Sequence, residues 1–321
     1  MSFVEWGLML MIVVYSFEMS AINGDSFIMK KAIFLALLVG FMSCSKSTED
    51  PDPNDTTNPN PTNPTGSNSL GKGQPSTVGL AGIDAWDKLA TSEKSRIMGW
   101  NALFLHQSVG QDLEEGCKAN GFSFDYYGKG DKTDGSASGK GLKGGIFVDV
   151  GGIPNGNPYE KIRVFRENAT RNKDILQIAI LKFGYADITE DNFEKVKIEY
   201  KSFVDALRGQ SPNLRFVHVT PPLVYSTAAY EGNAAKMKVG QWMKDTFNSI
   251  DVIFDLQELE SNNGVCQQSN VWRICPENRN SASDPSDVNG IDTSDGQGHI
   301  GKKAGQRISK ALLMSIYNAG K

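Results

Sequence analysis

Short apolar runs alternate with amphipathic stretches along most of the chain after residue 100, and this alternation most constrains the fold. Residues 102–106 (ALFLH) form an apolar run flanked by Asn101 and polar residues, short enough for a buried strand. Residues 175–183, 214–220 and 251–255 read the same way, with Pro221-Pro222 ending the run at 214–220. Between them, helices are expected over 109–119, 158–168, 191–208 and 228–248, with a last one near 302–318. Strands alternating with helices imply right-handed βαβ units and a mainly parallel sheet covered on both faces, a three-layer α/β/α architecture. Functional residues in such sheets gather at the carboxyl ends of strands. The places to inspect are therefore just after His106, Phe183, Thr220 and Asp255, and the segment before the last helix.

The chain ahead of residue 78 is of another kind. Met29-Lys30-Lys31 and the apolar run after them read as the basic and hydrophobic parts of a signal peptide, over 29–44. The run is too short to span a bilayer comfortably. It ends in Phe41-Met42-Ser43-Cys44, which resembles a lipobox, so Cys44 is expected to carry the lipid. That implies an exported protein anchored in the cell envelope, at the outer membrane, touching the membrane through its lipid alone. Residues 1–28 hold no Lys or Arg and place Glu5 where a basic region belongs, so they read as a start-site artefact. Residues 45–77 are rich in Pro, Asn and Thr and read as a disordered spacer. The globular domain is expected over 78–321.

With 22% charged residues, a net charge of −4 and no basic stripe, the chain is not expected to bind nucleic acid. Three histidines, four cysteines and the absence of CxxC and HExxH argue against a metal hydrolase, and neither metal nor cofactor is expected. Cys266 and Cys275 bracket a short loop, where an exported protein is expected to form a disulfide. Cys117 is expected to be buried and free. Asp284, Asp287, Asn289, Asp292 and Asp295 crowd one loop without EF-hand spacing, which reads as a solvated acidic loop.

Two positions carry the chemistry. Ser108 follows the first strand directly and opens a helix, where free N–H groups and the helix dipole favour negative charge. It reads either as an acyl-transfer nucleophile or as a helix cap. His299 stands in a Gly-rich loop before the last helix, four residues after Asp295. It reads either as a general base oriented by that carboxylate or as an exposed loop histidine.

The order of these blocks over about residues 101–314 resembles the SGNH (GDSL-like) hydrolases, in a divergent branch with an HQSVG serine block. Ser108 matches the serine block and His299 the catalytic histidine. Residues 184–187 match the GxND block, 220–223 the next loop, and 151–157 the glycine block. The resemblance implies a flavodoxin-like fold with Ser108 as nucleophile and His299 as base. It further implies that Asp295 orients the imidazole and that the N–H groups of Ser108 and Gly152 hold the oxyanion. Three departures stand out: His-Gln precedes the serine, Ala186 replaces the oxyanion Asn, and Asp295 lies four rather than three residues before His299.

His106, two residues before Ser108, either faces the same cleft and supplies the missing donor or is a core histidine. Asp187 either orders the active-site loops or caps the following helix. His218, inside a strand, reads as structural. The function implied is a secreted serine esterase acting on a small ester or acetylated glycan, removing acetyl groups from carbohydrate. The alternative is a non-catalytic glycan-binding lipoprotein on the same fold.

Overall fold

The computed structural model describes residues 69–123, 125–127, 142–146, 153–228, 231–280, 285–287 and 297–321. All lie within one unit, Pro64–Lys321. The signal segment, Cys44, the spacer up to residue 68, Gly152 and Asp295 lie outside the described residues.

Among the described residues, seven strands make one sheet: β1 (Ser76–Val78), β2 (Ala102–Leu105), β3 (Asp125–Tyr127), β4 (Leu142–Ile146), β5 (Ile178–Leu181), β6 (Arg215–Val219) and β7 (Val252–Phe254). Their order is β1-β7-β6-β5-β2-β4-β3, and every neighbouring pair is parallel. The five inner strands, β4-β2-β5-β6-β7, follow the flavodoxin-like order, which reverses direction between β2 and β5. That reversal opens a crevice at the carboxyl ends of the two strands, where Ser108 begins.

The central strands β2 and β5 are buried on both faces, as a parallel sheet between helices requires. Successive side chains point to opposite faces, so β2 divides its residues between two cores. Ala102 and Phe104 pack with residues of α1 (Leu80–Lys88), α3 (Val109–Ala119) and α8 (Lys302–Gly320), including Trp86, Leu113 and Leu312. Leu103 and Leu105 face α4 (Pro158–Arg171), α5 (Phe193–Gln210) and α6 (Asn233–Phe247), including Phe165, Tyr200 and Val239. The architecture is three-layered α/β/α. Two short helices, α2 (Thr91–Arg96) and α7 (Leu256–Ser261), a hairpin of β8 (Gln267–Gln268) and β9 (Val271–Trp272), and 3-10 turns at Ile97–Gly99, Pro276–Asn278 and Pro285–Asp287 complete the described elements.

Helix α3 runs over the residues expected, and the four anticipated strands shorten to β2, β5, β6 and β7. The sequence pattern did not reveal β1, α1, α2, β3, β4 or α7, most of them under seven residues and too short for a period to show. The fold also starts earlier than residue 78. The N–H groups of Gly71, Gly73 and Gln74 donate to carbonyls of Gly320, Lys321 and Asn318, each at 2.7 Å. β1 then pairs with β7 from Ser76.

Candidate active site

Ser108 sits on the turn from β2 into α3 with φ 57° and ψ −118°. A residue with a Cβ rarely adopts this left-handed backbone, which costs on the order of 1–3 kcal/mol and collects at functional sites. The turn must be this sharp because the chain leaves a buried strand and enters a helix within three residues. It also brings Gly110 against the residue two before the serine: a Cβ at 110 would fall inside the van der Waals shell of His106 Cβ. With a histidine on one side of the turn, only glycine fits on the other. Gly110→Ala is therefore expected to lower stability by about 1–3 kcal/mol through overpacking. Urea unfolding would measure it, and an unchanged midpoint would show that the turn relaxes freely.

At the turn, Ser108 Oγ lies 2.9 Å from His299 Nε2. His299 Nδ1 lies 3.0 Å from Asp112 Oδ2, which also accepts the Ile300 N–H at 2.9 Å. With Nδ1–H donating to Asp112, Nε2 is left as the acceptor for the serine hydroxyl. His299 is 7% exposed and Asp112 fully buried, so little water competes for these bonds. The Ser108 N–H makes no hydrogen bond among the described residues and opens at the start of α3.

Among the described residues the Nδ1 partner is Asp112, and Asp295, expected in that place, lies outside them. Nδ1 carries one hydrogen, and Asp112 takes it while also holding the backbone of the next residue. Asp112 lies four residues after Ser108, one helical turn on and on the same face. That spacing was the available signal, but it acquires meaning only where α3 meets the chain before α8. The two helices cross closely there: a Cβ on Gly116 would collide with the Gly305 carbonyl. The close crossing lays His299 against the first turn of α3.

His106 does not face the cleft. It is 1% exposed, with Nε2 2.8 Å from Glu114 Oε2 and its ring 4.5 Å from that of Phe104. The extended geometry that would align it with Ser108 ends at Leu105, and the left-handed turn rotates the serine away. Of the two readings open for it, His106 is the core histidine and not the cleft donor. Asp187 is likewise turned inward and is not presented to substrate. Its carboxylate accepts from Lys161 Nζ at 2.6 and 2.8 Å, from the Gly156 N–H at 3.0 Å and from the Gly184 N–H. It ties together the two loops that the sequence places around the cleft. Ala186 is exposed and offers no side-chain donor. His218 is buried between Tyr200 and Asp251. Cys266 and Cys275 are disulfide-bonded, and Cys117 is buried and free.

Other buried polar groups fasten the loops after β5 and β6. Lys182 Nζ donates to the Phe183 carbonyl at 2.7 Å, and Glu260 Oε2 accepts the Leu223 N–H at 2.6 Å. The Asn233 side chain clasps Val224 through both its N–H and its carbonyl. Burial pushes Lys182 down to about 7, Lys236 down to about 8 and Glu260 up to about 8. The resulting loop positions place Tyr185 edge-on to His299, with ring centroids 6.3 Å apart. Tyr225 donates its N–H to Gln297, two residues before the histidine. A separate cavity of about 560 Å³ opens near Asn101, Lys173 and Asn213, at the opposite ends of the strands from Ser108.

No family model and no curated protein sequence matches the chain. Among solved structures, it is similar to a protein from Streptococcus pneumonia described provisionally as a platelet activating factor. The alignment covers 73% of this chain and 88% of that one, at 14% identity and a TM-score of 0.40. The arrangement of the site, rather than this likeness, bears on function.

Proposed function

We propose that the protein is a serine esterase that removes acetyl groups from carbohydrate. One observation carries the reading: Ser108 Oγ, His299 Nε2 and Nδ1, and Asp112 Oδ2 stand in hydrogen-bonded series at 2.9 and 3.0 Å. This series suits acyl transfer, because a serine is a weak nucleophile until a base takes its proton. His299 accepts the hydroxyl proton as Oγ attacks the ester carbonyl carbon. Asp112 stabilises the imidazolium that forms. The tetrahedral oxyanion is met by the Ser108 N–H, with Gly152 as the expected second donor. Collapse transfers the proton from His299 to the leaving sugar oxygen and leaves an acetyl-serine. Water repeats the sequence and releases acetate. Export and lipidation at Cys44 would present this domain to polymeric glycans.

The test is labelling of the purified protein with a fluorophosphonate probe, located by peptide mass. Label on Ser108 that is lost in His299→Ala is the expected result. No label on folded protein overturns the reading in favour of a glycan-binding protein without turnover, which the missing donor at Ala186 would then explain.

A further inference from the structure

Near the segment that carries His299, two guanidinium groups share one aromatic ring and have no counter-ion among the described residues. The Arg279 guanidinium lies 3.9 Å from the centroid of the Tyr225 ring, and that of Arg273 lies 4.6 Å from it. Neither side chain pairs with a carboxylate among the described residues, and Arg273 Nε has no hydrogen-bond partner among them. Arg208, which lies over the Phe216 ring, is by contrast paired with Asp251. Two like charges on one ring repel each other, and stacking on a tyrosine offsets only part of that cost. An anion between or beside them would offset the rest.

The three side chains belong to separate segments, each hydrogen-bonded into the wall of the cleft. Arg279 forms an antiparallel bridge with Ile300, and the Asn280 N–H donates to the His299 carbonyl at 2.8 Å. The Tyr225 N–H donates to the Gln297 carbonyl at 2.6 Å. Arg273 is held by its N–H to the Cys266 carbonyl at 3.0 Å, within the loop closed by the Cys266–Cys275 disulfide. Ring and guanidiniums are half-buried, which strengthens electrostatic recognition relative to a fully exposed site. The cluster is thus anchored to residues immediately before and after His299.

We propose that Arg273 and Arg279, stacked on Tyr225, bind a carboxylate of the substrate, so that the acetyl ester is carried on an acidic sugar of the uronate class. The planar fork of arginine matches a carboxylate through two parallel hydrogen bonds. The proposal rests on the esterase reading for its acetyl group but not for its anion.

Binding is therefore measured apart from turnover. Full-length Ser108→Ala is titrated with methyl glucuronide and with methyl glucoside, followed by saturation-transfer NMR. Glucuronide is expected to bind at least tenfold more tightly than glucoside, and less tightly at 0.5 M salt. In Ser108→Ala carrying Arg273→Gln and Arg279→Gln, that preference is expected to vanish. Equal binding of the two sugars, or a preference that survives the arginine changes, would overturn the proposal. Arg279→Lys, which keeps the charge and loses the fork, serves if the double change does not fold, and is expected to reduce the preference several-fold. Failure of Ser108 labelling with the uronate preference intact would remove the esterase reading alone.

Discussion

Replacing Asp112 with Asn is expected to lower kcat on an acetyl ester by on the order of a thousandfold or more, whereas Asp295→Asn is expected to leave kcat within a few-fold. The reason is the tautomer. An amide at 112 can present its N–H to the imidazole, which reverses the proton on Nδ1 and leaves Nε2 unable to accept from Ser108. It also withdraws the negative charge that stabilises the imidazolium. Asp112 Oδ2 additionally accepts the Ile300 N–H, so the change loosens the segment that carries His299. Steady-state rates of the two variants, with folding checked by thermal unfolding, decide the matter. Activity retained in Asp112→Asn, or lost only in Asp295→Asn, would return the orienting role to the acidic loop.

Lys161→Met is expected to destabilise the protein by about 3–5 kcal/mol, because it strands the fully buried Asp187 carboxylate without its cation. The two remaining donors, the N–H groups of Gly156 and Gly184, satisfy lone pairs but do not neutralise the charge. Adding Asp187→Asn to Lys161→Met is expected to recover part of the loss, since the stranded charge disappears. Chemical denaturation of the single and double variants measures the effect. A single variant as stable as the parent would mean that the pair does not hold the cleft loops together.

Some of this site was legible in the residues themselves. An apolar run ending at Leu105 and a helical pattern starting at Val109 leave Ser108 nowhere but the strand-to-helix turn. The position of His299 just before the last helix drew attention to it, but its reading as the base came from the family resemblance. The identity of its carboxylate was not legible. Asp112 and Asp295 are both near in sequence to a candidate residue, and one-dimensional spacing favours the one adjacent to the histidine. The contact that decides between them spans 187 residues. It depends on α3 and α8 crossing closely at Gly116. The two readings of His106 stayed open for a related reason: the alternation of a strand predicts a shared direction only while the backbone remains extended, and it stops doing so at the turn.

The sequence by itself therefore determined the layered parallel architecture and the place of Ser108 at a strand-to-helix turn, while its pairing with His299 was implied by the family resemblance. The architecture and the turn follow from local periodicity, and periodicity is written in neighbouring residues. Only the tertiary structure decided that Asp112 completes the series, that Asp187 faces inward to Lys161, and that Arg273, Tyr225 and Arg279 meet beside His299. Each of these depends on side chains brought together from separate segments. Such meetings are set by how helices and loops cross, which no local pattern of residues records.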